Sequence, residues 1–133
     1  MKPARYTEVL DELIATTFRA ARDDFAVNHT MLGASLAVVA TDQYGAGNVA
    51  PEDPINLLIL GERRMSAFAE AISERILYAL SDAGADVGLA CRTVAECVQL
   101  ARTDATVAES LQHMRHIAGD ASLFVELKNA FPD

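Results

Sequence analysis

The sequence predicts an α+β domain: a small sheet of at least three strands with helices packed on it. Three observations lead there. Two short apolar runs carry no polar alternation, as strands buried on both faces do. Longer segments with helical apolar spacing lie before and after them. The 133 residues are 51% hydrophobic, enough for one core, so residues 1–133 read as a single domain.

The elements follow in order. From Tyr6 to Ala26, apolar residues recur at Val9, Leu10, Leu13, Ile14, Phe18, Ala21 and Phe25 with charges between them, which predicts a first helix. Asn28 to Gly33 breaks it. "SLAVVA" (Ser35 to Ala40) and "INLLIL" (Ile55 to Leu60) predict two strands, joined by a loop from Thr41 to Pro54 that is punctuated by glycine and proline. Arg63 to Ala83 repeats the helical spacing at Met65, Phe68, Ala69, Ile72, Ile76, Leu77 and Leu80, with Gly84 as its C-terminal stop. "VGLAC" (Val87 to Cys91) predicts a third strand, and Thr93 with Glu96 forms a capping box opening a helix through Ala101. A further helix is expected from Asp104 or Thr106 to Ile117, ended by Gly119, and a last one over Ser122 to Ala130. The predicted order is α-β-β-α-β-α-α-α.

Composition narrows the function classes. A formal charge of -8 and a pI near 4.7 argue against a nucleic-acid partner, which would call for clustered Lys and Arg. No run approaches the roughly 18–20 apolar residues that span a bilayer, so no membrane is expected as a partner. "MKPARYTEVLDEL" turns acidic before any apolar stretch and carries no signal-peptide core. Cys91 and Cys97, the two cysteines, fit neither a redox pair nor a zinc knuckle. These readings together predict a cytoplasmic protein with reduced thiols.

The loop between the first two strands carries the chemistry. It reads "DQYGAGNVAPEDPINLL" and holds the acids Asp42, Glu52 and Asp53. This stretch resembles the N-terminal nucleotidyltransferase domain of the bacterial PII-protein uridylyltransferases, of the polymerase-β-like nucleotidyltransferase superfamily. There the segment runs Gly-Gly-Tyr-Gly-Arg-Gly-Glu-Leu-x-Pro-x-Ser-Asp-Ile-Asp-Leu-Leu, and it aligns here without a gap. "VGLACRT" (Val87 to Thr93) is similar to the family's Val-Gly-His-Ser-Val-Arg-Thr, and "LARTDATVAESL" and "HIAGDASLF" resemble its later helices. The likeness covers about Leu36 to Leu127. It implies a nucleotidyltransferase-like sheet and, as the arena, nitrogen regulation.

The matching positions are Tyr44, Gly45, Gly47, Pro51, Ile55 and Leu57 to Leu60, with Tyr44, Gly45 and Gly47 as a remnant nucleotide-binding loop. The glycine pair implied to let backbone approach the triphosphate is Asp42 and Gln43, the Arg position is Ala46, and the Glu position is Asn48. The two aspartates implied to hold Mg²⁺ are Pro54 and Asn56, and the later His position is Leu89. Mg²⁺ is a hard cation that is bound through carboxylates plus substrate phosphates. Alternate residues on a strand share a face, so an Asp-x-Asp pair presents two carboxylates together; Pro54 offers no ligand and Asn56 only a neutral carbonyl. Phosphoryl transfer rests on positioning and charge neutralisation, so these losses point to a catalytically inactive pseudoenzyme that binds or regulates, with no cofactor required.

Two other functions are consistent with the same residues. One is an active uridylyltransferase-like enzyme on a rebuilt acidic site, with Asp42 and Asp53, joined by Glu52 or Asp86, holding Mg²⁺ for an NTP. The other is an antitoxin-like or structural partner of another chain. His113 and His116 form an HxxH on a predicted helix, where i, i+3 spacing can present two ligands, but no third ligand accompanies them and surface histidines are the plainer reading. Cys91 and Cys97 read as small core residues rather than nucleophiles. The broad face of the first helix, or Phe124, Val125, Leu127 and Phe131 of the last, would serve either the chain's own core or a homodimer. Any protein partner or small ligand is expected at the former cleft.

Overall fold

A computed structural model describes residues 3–30, 35–63 and 66–131. The predicted first helix is α1, Pro3–Asn28, and it buries Leu10, Ile14, Phe18 and Ala21 along one stripe. The two apolar runs are β1 (Leu36–Thr41) and β2 (Ile55–Gly61). They pair antiparallel from Leu36 opposite Gly61 to Thr41 opposite Asn56. The segment joining them is not all loop: Asp42–Gly45 forms one helical turn, α2.

After β2 come α3 (Ala67–Asp82), β3 (Val87–Arg92), α4 (Val94–Thr103) and α5 (Ala105–Ser110). The third helix thus begins later than the predicted Arg63, and Met65, like Gly33, lies outside the described residues. Ser66 caps α3 by accepting from the Ala69 N–H at 3.0 Å. Gly84 takes φ +87° just past the end of α3, the left-handed stop its position predicted. The capping box on α4 is complete: Thr93 Oγ1 accepts from the Glu96 N–H at 3.1 Å and Glu96 Oε1 from the Thr93 N–H at 3.0 Å.

One prediction is overturned. The helix expected to reach Ile117 stops at Ser110, and Arg115–Gly119 is a fourth strand, β4, paired antiparallel with β1. Leu111, Met114 and Ile117 recur at helical spacing, but tertiary pairing with the edge of β1 overrides that local signal. Asp120 then caps α6, Ala121–Ala130. The sheet order is β3-β2-β1-β4, with β2 and β3 parallel and the other pairs antiparallel.

The period of two along the strands divides the interior. Leu36, Val38, Ala40, Ile55, Leu57 and Ile59 pack with α1 and α3 on one face. Ala37, Val39, Leu58 and Leu60 pack with Cys97, Val107, Leu111, Leu123 and Leu127 of the later helices on the other. The α1 stripe is therefore spent on the chain's own core; Val9, Val27, Tyr78 and Val125 are the large apolar side chains left exposed among the described residues.

A bulge in the β1–β4 pairing has a consequence for the loop. Val38 faces Ala118, but Val39 faces His116, so Ile117 is the extra residue. A one-residue slip turns the preceding side chains to the opposite face. It sends Arg115 to the α1 side and leaves His116 facing α6.

Candidate functional site

Thr41, Asn56 and Gly88 stand side by side across β1, β2 and β3. Sharing parity with Val39, Leu58 and Ala90, they face the α5 side of the sheet, where Thr106 and Ser110 close a cleft of about 260 Å³. Asp42 lines one part of it and Arg92 another. A Cβ at position 88 would come within 2.7 Å of Asn56 Oδ1, so glycine there leaves room for that amide.

Asp42 begins α2 with φ +56°, and among the described residues it alone, glycines apart, has a positive φ. The resemblance places the first glycine of the phosphate-binding pair at this position. Asp can hold this left-handed backbone because it tolerates that region better than most residues. Asp42→Gly is expected to raise stability by up to about 1 kcal/mol, and Asp42→Val to lower it by about 1–2 kcal/mol. Urea unfolding of the two variants checks this order.

The remnant loop residues have structural employment. A Cβ on Gly45 would lie 1.9 Å from the His113 carbonyl oxygen and 2.8 Å from that of Ala40, so α2 packs there backbone to backbone. Gly47 has φ +78° and open space around it, and supplies a turn. Tyr44 is fully buried, its hydroxyl donating to Asp11 Oδ1 at 2.5 Å. Arg115 lies over the Tyr44 ring at 5.1 Å, donates through Nη2 to the Tyr44 carbonyl at 2.8 Å, and pairs through Nη1 with Asp11. Burial, then the hydrogen bond and charge of Asp11, hold the Tyr44 hydroxyl far above the ordinary tyrosine range, with Arg115 opposing. This triad ties α1, α2 and β4 together; Tyr44 turns away from the cleft.

The candidate acids do not converge. Asp53 Oδ2 accepts from the Ala50 N–H at 2.9 Å and from Gln43 Nε2 at 3.2 Å, while Gln43 Nε2 also reaches the Asn48 carbonyl at 2.9 Å. Asp53 is thus a fastener of its own loop. Glu52 and Asp86 are exposed, and Asp86 joins the sheet by its carbonyl, which accepts from the Ile55 N–H at 2.8 Å. Pro54 is exposed immediately before β2. Of these acids, Asp42 alone lines the cleft. Among the described residues no three His, Cys, Asp or Glu side chains gather as a metal site would need.

The other positions singled out in the sequence fall elsewhere. The Leu89 side chain packs with the α1–α3 core, on the opposite face of the sheet from Asn56. His113 is exposed in the turn before β4, and His116 Nε2 donates to the Gly119 carbonyl at 3.1 Å beside the Phe124 ring, so the HxxH is not on a helix. Cys97 is fully buried, and burial pushes its thiol up to about 11. Cys91 lies half-buried with Sγ 3.4 Å from Ser73 Oγ, whose own proton goes to the Ala69 carbonyl at 2.7 Å. Asp11, Arg115 and Arg92 are the residues that sequence reasoning passed over; nothing in their local sequence marks them.

A mixed sheet with a helical turn and loop between its first two strands, and a cleft at their shared end, defines a nucleotidyltransferase-like α+β domain. No protein-family profile matches the chain. Its curated relatives are bifunctional uridylyltransferase/uridylyl-removing enzymes: that of Bradyrhizobium sp. (strain ORS 278) is 39% identical over 128 residues, covering 96% of this chain and 14% of the relative. That of Bradyrhizobium sp. (strain BTAi1) is 40% identical over 124 residues, covering 92% and 13%, and that of Caulobacter vibrioides (strain NA1000) is 37% identical over 131 residues, covering 94% and 13%. The chain matches the N-terminal nucleotidyltransferase domain of these enzymes, and it spans about one-seventh of their length. Among the described residues no helix is long and apolar enough to cross a membrane.

Proposed function

We propose that this chain is a catalytically inactive nucleotidyltransferase-like domain that acts by binding, using its cleft or its helical surface in a regulatory complex. One observation carries the reading: where the resemblance implies two metal-holding aspartates the chain has Pro54, exposed just before β2, and Asn56, which lines the cleft, and neither supplies a carboxylate. Asp53 is held by its own loop, and Asp42 alone among the candidate acids lines the cleft. One carboxylate with no second acid beside it gives Mg²⁺ too few anionic ligands to be held in place against a triphosphate. Mg²⁺ and an NTP are accordingly not cofactors of this domain. The domain serves in nitrogen regulation in the cytoplasm on this reading, which is supported by the family resemblance and by relatives named uridylyltransferase/uridylyl-removing enzymes.

The test is transfer of labelled UMP from UTP, with the chain incubated with Mg²⁺ and candidate acceptor proteins. The expected result is no label above the background of heat-unfolded chain. Transfer that Asp53→Ala or Asp42→Asn abolishes would establish an active enzyme on a rebuilt acidic site. Co-purification of the tagged chain from its native host with a stoichiometric second protein supports the regulatory reading, with the cleft or an exposed face as the contact.

A further inference from the structure

Three half-buried polar side chains in the cleft have no side-chain partner among the described residues. Among the described residues, the Asp42 carboxylate, the Asn56 amide and the Arg92 guanidinium form no ion pair or side-chain hydrogen bond, although all are half-buried and line the same cavity. Elsewhere the protein pairs its partly buried charge, as Asp11 with Arg115. Half-buried groups of opposite sign are costly to leave unmatched, and a ligand that matches both recovers that cost.

Their placement sets the shape of that ligand. Asp42 adjoins the row Thr41–Asn56–Gly88, whereas Arg92 lies on the same face of β3 but four residues further on, about 13 Å along the strand at roughly 3.3 Å per residue. The guanidinium can fold back over Ala90 and shorten this span by the length of its side chain. The walls between are apolar, from Leu58, Ala90, Val107 and Leu111. At about 260 Å³ the space lies below the range of about 300–1,000 Å³ usual for larger ligands.

We propose that the cleft binds a small elongated zwitterion, its ammonium at Asp42, its carboxylate at Arg92, and a short methylene chain between them that leaves Asn56 free to hydrogen-bond near the ammonium. The inference rests on the binding-module reading above and names the class of ligand that the module takes.

Calorimetric titration with 6-aminohexanoate and with lysine, each a carrier of both charges on a flexible chain, tests it. At least one is expected to bind saturably. Hexanoate and hexylamine, which each lack one charge, are expected to bind about tenfold more weakly or worse. Asp42→Asn keeps a residue that tolerates φ +56°, and Arg92→Gln keeps an unbranched polar side chain on the edge strand while removing the charge. Each is expected to lose about tenfold in affinity while retaining the parent's circular dichroism and unfolding midpoint. Hexanoate binding as tightly as 6-aminohexanoate, or no saturable heat from either zwitterion, overturns the proposal. The same protein is titrated with UTP and Mg²⁺: binding there refutes the inactive-domain reading, whereas silence from both UTP and the zwitterions refutes the ligand class alone.

Discussion

Gly45→Ala is expected to cost on the order of 3 kcal/mol or more and to leave little folded protein at 37 °C. The added methyl would stand 1.9 Å from the His113 carbonyl oxygen, and backbone on both sides cannot step aside as a flexible side chain can. The Ala40 carbonyl closes the other side at 2.8 Å, so relief requires α2 to lift from β1 or the turn before β4 to withdraw. Either movement disturbs the Tyr44–Asp11–Arg115 contacts. Guanidinium unfolding of the purified variant, with yield recorded, is the check. A variant within about 0.5 kcal/mol of the parent would show that the turn yields freely. The result also separates two reasons for a glycine here, because a loss of stability without any nucleotide assigns Gly45 to packing.

Truncating Tyr44 is the second large effect. Tyr44→Ala empties a fully buried aromatic site and is expected to cost about 3–5 kcal/mol. Tyr44→Phe keeps the ring and removes the hydroxyl that donates to Asp11, at an expected cost of about 1.5–3 kcal/mol at pH 8. That second cost depends on pH with a definite sign. Burial raises the hydroxyl's pKa in the folded state above its ordinary value of 10.0, so the unfolded chain loses this proton first as pH rises. The stability attached to the neutral hydroxyl is fully present below about pH 10 and declines above it. Urea midpoints of parent and Tyr44→Phe are expected to differ most at pH 8–9 and to converge above pH 10. A gap that widens there would contradict the buried, neutral donor.

The legible and illegible parts of this structure divide by range. The α1 stripe, the apolar runs of β1 and β2, the Thr93–Glu96 box and the Gly84 stop all follow from contacts within a few residues, and each formed as predicted. β4 did not, because "RHIAG" is short and polar at its start, and Leu111, Met114 and Ile117 continue a helical period. Its strand character comes from β1, some 80 residues earlier in the chain. The Tyr44–Asp11–Arg115 triad was hidden for the same reason: Arg115 and Asp11 are 104 residues apart.

The candidate site was half legible. Pro54 and Asn56 stand in the sequence where the resemblance implies two aspartates, and Asp42 and Gln43 where it implies paired glycines. What the sequence left open is direction. Asp53 sits next to Pro54 yet turns to Ala50 and Gln43, and Leu89 lies on the opposite face of the sheet from Asn56. Adjacent positions on extended backbone alternate sides, so proximity in sequence to a functional position carries no promise of sharing its cleft. Arg92 shows the converse. Its even spacing from Gly88 puts it on the cleft face, a fact that needs the β2–β3 register before it can be used.

That the cleft offers a metal one carboxylate, Asp42, and no pair is the proposal on which the rest depends, and UTP titration by calorimetry with and without Mg²⁺ decides it. The account predicts no saturable heat at micromolar UTP in either condition, from protein whose unfolding midpoint confirms that it is folded. Micromolar UTP binding that appears with Mg²⁺ and vanishes with a chelator would contradict it.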